Sequence, residues 1–233
     1  MKISVIIPAY NEEKYIEKCL DSLIEQNFKD YEIIVILNNC TDNTESIVNG
    51  FKNVKIVKEE RKGVVYARQA GTLEAKGEII ASADADSLYP KDWLSKIESN
   101  FKKDNRIVGL YGPVYLKSES IFLRLITKYL YTLFLYTSKL IGGENVAGIN
   151  FAFKKDVFDK VNGYNTGLLS AEDIDLAKRI KQFGKIKFSS RLIAYSSDRK
   201  FKGRFFKSLF YHLKNYIKVF ILKKKPEGMI DIR

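Results

Sequence analysis

The sequence predicts an α/β fold: a mostly parallel sheet with helices on both faces, followed by a C-terminal helical extension. Three observations carry that prediction. Apolar, β-branched runs alternate with helix-period segments over the first hundred residues, the pattern of successive strand–helix–strand units. One such run ends in Asp84-Ala85-Asp86, and open α/β sheets bind ligands at the C-terminal mouths of their strands. The basic charge is confined to a separate tail.

The elements follow in order. Lys2–Pro8 and Tyr31–Leu37 read as buried strands, and Val54–Val57 as a third. Between the first two, Glu13–Gln26 carries Ile16, Cys19, Leu20, Leu23 and Ile24 at helical spacing. Thr41–Phe51 predicts a short helix with Thr41 or Asp42 as N-cap. Val65–Ala75 predicts a small-residue helix ended near Gly77, and Glu78–Ala83 a fourth strand. Pro90 starts a helix through Trp93, Leu94 and Ile97. Ile107–Val114 reads as a strand and Glu119–Ile141 as one strongly apolar helical stretch, broken at Gly142-Gly143. Arg124, Lys128 and Lys139 interrupt that stretch, and its longest uncharged run, Tyr129–Ser138, is half of the roughly 20 residues a membrane span needs. It therefore predicts a buried or membrane-surface helix. Ile149–Phe153 is a strand, followed by a helix ending near Gly163; Glu172–Phe183 is an amphipathic helix closed by Gly184, and two short strands reach Ser196.

Composition excludes several classes. The 233 residues are 45% hydrophobic, enough for one substantial core. Cys19 and Cys40 make no disulfide framework, and a start without a signal peptide predicts a cytoplasmic protein. The single histidine, His212, argues against a zinc site or a Ser-His-Asp triad. Gly142-Gly143-Glu144 lacks the Lys-Ser/Thr of a phosphate loop, and no strand-linked Gly-x-Gly-x-x-Gly appears. Of the net charge of +12, ten cations fall between Arg199 and Lys225 with no acid among them.

Two carboxylates two residues apart on an extended chain point the same way. At a sheet mouth, Asp84 and Asp86 suit a hard divalent cation, Mg²⁺ or Mn²⁺, and such a cation suits a diphosphate.

Further segments line up with that triplet. They are Val5-Ile6-Ile7-Pro8-Ala9-Tyr10-Asn11-Glu12-Glu13, Asn38-Asn39-Cys40-Thr41-Asp42, Gly63 to Gly71 around Arg68, Gly163-Tyr164, and Ala171-Glu172-Asp173-Ile174-Asp175. In this order they resemble the family 2 glycosyltransferases, inverting enzymes of the Rossmann-like GT-A fold. The resemblance covers roughly residues 1–200. It implies a GT-A domain with a nucleotide-binding half (1–104) and an acceptor-side half (105–200), with residues 201–233 as a basic amphipathic extension. It also implies a nucleotide-sugar donor. Pro8, Ala9, Tyr10 and Glu12 match the loop bordering base and ribose. Asp42 matches an acid near the nucleoside, and Arg68 a residue near the diphosphate. Asp84 would contact ribose or sugar, and Asp86 the metal. Glu172-Asp173 matches the acceptor-side acid pair, whose Asp is the expected general base.

There are departures. Where the family often ends its second strand in an Asp that reads the base, this chain has Leu37 followed by Asn38, which cannot match an ionised acid; that weighs against uracil and leaves guanine and thymine donors open. Gln69 stands where Asn is common. Plain structural readings also stand on the residues alone. Asp42 suits a helix cap, and Glu172 and Asp173 open a helix whose dipole favours acids.

In the tail, Phe206, Phe210, Leu213, Ile217 and Phe220 form one helical stripe flanked by Lys207, Lys214 and Lys218. That pattern suits an interfacial helix on the inner face of a membrane through residues 203–222, or a terminal helix packed on the domain. Ser197-Asp198-Arg199-Lys200 resembles an element of some family members that would touch a phosphate. The expected function is metal-dependent, inverting transfer of a sugar from a nucleotide-sugar donor to a glycan or lipid-linked acceptor, with no nucleic-acid partner. The alternative is a non-catalytic binding protein of the same fold, held on membrane or nucleic acid by its basic C-terminus; the intact acids argue against it.

Overall fold

The computed structural model describes residues 1–199 apart from Glu119, Ile141, Gly142 and Leu169. The predicted basic extension, with its Phe206–Phe220 stripe and His212, lies outside the described residues, as does the break at Gly142.

Strands β1 (Ile3–Ala9), β2 (Tyr31–Leu37), β3 (Val54–Lys58) and β4 (Ile79–Ser82) alternate with helices α1 (Ile16–Ile24), α2 (Thr44–Asn49) and α3 (Val64–Leu73). All four strands pair in parallel, in the order β3-β2-β1-β4. The order reverses beside β1, which makes the crevice at the carboxyl ends of β1 and β4 the place where such sheets take ligands.

Alternation along the strands builds two cores. Ile3, Val5 and Ile7 with Ile33, Val35 and Leu37 face Ile16, Cys19, Leu20 and Leu23 of α1. Ile6, Ile34 and Ile36 point to the opposite face, with Val65 and Ala67 of α3. Both cysteines are free.

Beyond β4 come β5 (Ser87–Leu88), α4 (Trp93–Lys103), β6 (Ile107–Tyr111), β7 (Val114–Lys117), α5 (Ile121–Ile126), α6 (Thr132–Leu140), β8 (Phe151–Lys154), α7 (Lys155–Lys160), α8 (Glu172–Ile180), β9 (Lys185–Phe188) and β10 (Ala194–Ser197). β8 enters antiparallel between β4 and β6, and β9 pairs parallel to β6. Among the described residues the main sheet has seven strands, β3-β2-β1-β4-β8-β6-β9.

Two expectations change. The strand read over Ile107–Val114 divides at Gly112-Pro113. A β-carbon at Gly112 would overlap the Leu192 carbonyl, and Pro113 has no N–H for a ladder. The chain therefore leaves the main sheet, and β7 joins a small second sheet, β5-β10-β7, that the sequence did not announce. The apolar stretch at 119–141 is not one regular helix; a π-helical turn over Thr127–Tyr131 separates α5 from α6. No described helix is long and apolar enough to cross a membrane.

Candidate active site

The loops after β1 and β2 are laced together. Asn11, in the left-handed region at φ 53°, accepts the Thr41 N–H at 2.7 Å. The Glu12 N–H donates to Thr44 Oγ1 at 2.7 Å, and the Glu13 N–H to Asp42 Oδ2 at 3.0 Å. Asp42 Oδ1 also accepts the Thr44 N–H at 3.0 Å. Burial works to raise the Asp42 pKa, but these hydrogen bonds outweigh it and hold the pKa low. Asp42 is thus a turn-former two residues before α2, which starts at Thr44 and not at Thr41 or Asp42.

Ala9 is buried, and its carbonyl accepts the Asn38 N–H at 2.9 Å. The buried Asn38 side chain is spent on the fold. Its amide donates to the carbonyls of Glu59 and Arg61, both at 2.8 Å, and its oxygen accepts the Gly63 N–H at 2.9 Å. Any influence of Asn38 on a base would pass through the 59–63 loop that it holds. That loop also places the Lys62 ammonium 5.0 Å from the Tyr10 ring centroid, near Pro8 at the mouth of β1.

Asp84 and Asp86 sit at the predicted mouth, but their geometry differs from the expected one. β4 stops at Ser82, and Ala85 and Asp86 lie in a turn closed by Ser87 N–H on the Asp84 carbonyl. The carboxylates therefore part to different cations. Asp84 Oδ1 takes Arg68 Nη2 at 2.8 Å, while Asp86 Oδ2 takes Arg199 Nε at 2.9 Å and Ser197 Oγ at 3.0 Å. Glu12 turns its carboxylate to Arg199 rather than outward, bonding both terminal nitrogens at 2.7 and 2.6 Å.

Arg68 is the junction of the site. Its guanidinium lies between Asp84 and the buried Glu172, to which Nη1 is directly paired. Burial opposes the charge, but Asp84 and then Glu172 overcome it and hold Arg68 firmly protonated.

Glu172 and Asp173 open α8 immediately after Ala171, which holds φ 60°, a left-handed conformation that disfavours a residue with a β-carbon. Asp173 Oδ2 accepts the Gly148 N–H at 2.6 Å, and Oδ1 the Ile174 N–H at 2.7 Å. The carboxylate is half-buried: solvent reaches it, yet enough protein surrounds it that desolvation, followed by the Glu172 charge, pushes its pKa up to about 7 against the opposing pull of Arg68. Tyr131, in the π-helical turn, is near enough that burial and then the Asp173 charge raise its phenol to about 12.

The model of the family described as "Glycosyl transferase family 2" matches residues 4–161. The chain belongs to glycosyl transferase family 2. Among its relatives, glycosyltransferase AglE of Haloferax volcanii is 29% identical over 237 residues, covering 95% of this chain and 75% of that protein. A Methanococcus voltae enzyme named dolichyl N-acetyl-alpha-D-glucosaminyl phosphate 3-beta-D-2,3-diacetamido-2,3-dideoxy-beta-D-glucuronosyltransferase is 30% identical over 131 residues, 51% of this chain and 41% of that protein. Among solved structures, mannosyltransferase PcManGT of Pyrobaculum calidifontis, in complex with GDP-Man and Mn²⁺, superposes with a TM-score of 0.73 at 22% identity, over 97% of this chain and 66% of that one. The likeness establishes the GT-A fold. By family, the chain is a glycosyltransferase.

A glycosyltransferase of this fold raises the question of a divalent ion. Among the described residues, no cluster of three or more His, Cys, Asp or Glu side chains could hold one. Mg²⁺-type ions, however, usually bind one or two carboxylates plus substrate phosphates. Asp84 and Asp86 offer oxygen donors only, at the sheet mouth, and fit that pattern.

Sequence reasoning missed two positions, Gly148 and Asn150, and noted a third, Gln69, without a role. Gly148 has no β-carbon because one would overlap the Arg68 guanidinium, and its N–H holds Asp173. Asn150 accepts Trp93 Nε1 at 2.9 Å and donates to the carbonyls of Pro113 and Leu192, tying α4 to the small sheet. Gln69 accepts the Tyr164 N–H at 2.8 Å beside Gly163, whose φ is 72°, so it serves as a strut between α3 and the loop leading to α8. The glycines clustered after residue 141 were the available signal for Gly148, the departure from Asn was the one for Gln69, and Asn150 carried none.

Proposed function

We propose that this chain transfers a sugar, with inversion, from a nucleotide-sugar donor to a glycan or lipid-linked acceptor. The reading rests chiefly on Asp173. It is half-buried with a pKa raised toward neutrality and sits beside a glutamate that Arg68 ties to the donor-side Asp84. A general base works best when its pKa lies near the operating pH. In this scheme Asp173 takes the acceptor hydroxyl proton as the oxygen attacks the anomeric carbon and the nucleoside diphosphate leaves from the opposite side. Pro8, Ala9, Tyr10 and Asp42 border the nucleoside, and Asn38 shapes that wall indirectly. Arg68 positions Glu172 and Asp84. Asp86 and Asp84 would hold Mn²⁺ or Mg²⁺, whose chemistry there is to neutralise charge on the leaving diphosphate.

A lipid-linked acceptor is supported by a surface. Ile121, Leu125, Tyr129, Leu133 and Tyr136 recur at three- or four-residue spacing along α5, the π-helical turn and α6, and all are exposed, as is Leu130. Exposed Arg124 and Lys128 lie among them, and no acid occurs from Ser120 to Gly143. That combination suits the anionic inner face of a membrane. The same helical segment carries Tyr131 toward Asp173. Residues 203–222 would add a second contact. The M. voltae relative, by its name, acts on a dolichyl-phosphate-linked sugar.

The test is a thermal-shift panel of UDP, GDP and dTDP with Mn²⁺. A ligand at 100 times its Kd stabilises by about 2.7 kcal/mol. One base should stand out; no shift with any nucleotide or nucleotide-sugar refutes the donor reading.

A further inference from the structure

Arg199 stands where a cation is needed. It follows β10 and reaches back over the sheet mouth to two acids from distant parts of the chain. Its terminal nitrogens bond Glu12 at 2.7 and 2.6 Å, and its Nε lies 2.9 Å from Asp86 Oδ2. The guanidinium is centred 4.9 Å from the Tyr15 ring. Both acid side chains are nearly closed to solvent, 5% exposed at Glu12 and 4% at Asp86, while Arg199 keeps 26%. Ser197 fastens the same segment, through its Oγ to Asp86 Oδ2 at 3.0 Å and its N–H to the Asp86 carbonyl at 3.2 Å.

Buried carboxylates need a counter-charge, and here Arg199 supplies it to both. Among the described residues, Asp86 Oδ1 accepts only the Ser87 hydroxyl at 3.3 Å, but the side chain is 4% exposed beneath Arg199 and Ser197, which both bond Oδ2, so a divalent ion reaches this carboxylate only as that segment moves away. Mg²⁺ sits about 2.0–2.1 Å from its oxygen ligands and tolerates little distortion. A dication and a guanidinium on one buried carboxylate also repel each other, so the two compete for Asp86.

We infer that Arg199 is a resident counter-cation of Asp86 that a divalent ion must displace, so that metal binding and release of the Ser197–Arg199 segment from Asp86 are one event. The inference rests on the metal reading of Asp86 under the proposed function and adds a competitor from the chain itself. An ion that binds only the released state has its affinity lowered by the fraction of molecules in that state. Removing Arg199's charge should therefore tighten metal binding, although the variant loses a salt bridge.

The experiment titrates Mn²⁺ into the full chain, with free ion followed by its paramagnetic resonance signal, with and without GDP or UDP. Arg199→Gln should bind Mn²⁺ about 5–150-fold more tightly than the parent, the usual range of coupling between linked events. Arg199→Lys retains a single-point charge that cannot span both acids and should fall between; it also serves if the Gln variant folds poorly. Unchanged or weaker Mn²⁺ binding by both variants overturns the inference. If Asp86→Asn meanwhile binds Mn²⁺ less well than the parent, the metal reading survives without the exchange. If Asp86→Asn binds Mn²⁺ as the parent does, the metal reading fails and the exchange fails with it.

Discussion

Arg68 and Glu172, 104 residues apart in sequence, form a buried ion pair that joins α3 to the start of α8. Through its other nitrogen Arg68 reaches Asp84, 2.8 Å away, so one guanidinium ties the end of β4 to the helix that carries Asp173. Asp84 and the first turn of α8, which carries Asp173, are thus registered by a single side chain. Its Nε is buried without a hydrogen-bond partner among the described residues, which makes the site polar and not fully satisfied, a pattern common where a ligand binds.

Removing Arg68 should damage both fold and activity. Arg68→Ala leaves Glu172 buried without its countercharge, and breaking one side of a buried pair costs about 3–5 kcal/mol. Urea unfolding near neutral pH should show that loss, and glycosyl transfer should be abolished. A melting profile equal to the parent's would mean that the pair is not closed in solution.

Gly148 should be intolerant of the smallest substitution. Gly148→Ala forces a methyl into the Arg68 guanidinium, and such overpacking costs roughly 1–3 kcal/mol. The clash also disturbs the Gly148 N–H, which lowers the Asp173 pKa. Losing that bond moves the pKa up, so the acid limb of the pH–rate profile should shift to higher pH. A stable variant with the parent profile would remove Gly148 from the site.

The fold of the first hundred residues was legible because its signals are local. Continuous strand runs rich in Ile and Val, a Pro8-to-Glu13 loop and the Asp84-Ala85-Asp86 triplet near a strand end can each be read from neighbouring residues. The partners of the acids were not. Glu12 and Asp86 meet Arg199 only because β10 lies against β5, and that small sheet forms because Gly112-Pro113 diverts the chain. Asn38 looked like a base reader from its place at the end of β2, yet three backbone groups of a loop more than twenty residues away claim its amide. Whether a polar side chain faces a ligand or a backbone is decided by contacts that sequence spacing does not encode.

The exposed stripe on α5 and α6 should bind lipid. Fully burying a leucine side chain contributes about 1.5–3 kcal/mol. Leu130→Ser with Leu133→Ser in the full chain should therefore weaken partition onto anionic vesicles by roughly tenfold or more, with nucleotide binding unchanged. Partition should also fall with salt, because charges are screened over about 8 Å at physiological ionic strength. Sedimentation with vesicles measures both, and equal binding by parent and variant would return the stripe to another role.

Asp173→Asn separates two acceptor chemistries and carries a stability signature of its own. A sugar hydroxyl must lose its proton as the bond forms, and a positioned base contributes about 10²–10⁴-fold to such a step. With a hydroxyl acceptor, kcat should drop by that factor while donor affinity holds. A polyprenyl phosphate oxygen is already anionic, so with such an acceptor the loss should be small. In the parent, the rate on a hydroxyl acceptor should fall as pH drops through the raised Asp173 pKa of about 7, because only the carboxylate accepts a proton. The stability effect runs the other way. A carboxyl whose folded pKa lies above its unfolded value favours the fold at low pH, and that contribution is lost as pH climbs from the ordinary carboxylate range through the raised value. Asn cannot ionise, so the stability of Asp173→Asn relative to the parent should rise from pH 5 to pH 8, on top of a pH-independent loss because its amide accepts only one of the two N–H groups, of Gly148 and Ile174, that the carboxylate oxygens take. Urea unfolding at the two pH values, set beside kcat on a defined hydroxyl acceptor, checks both arms. A variant that turns over that acceptor at the parent rate would end the base assignment, whatever its stability.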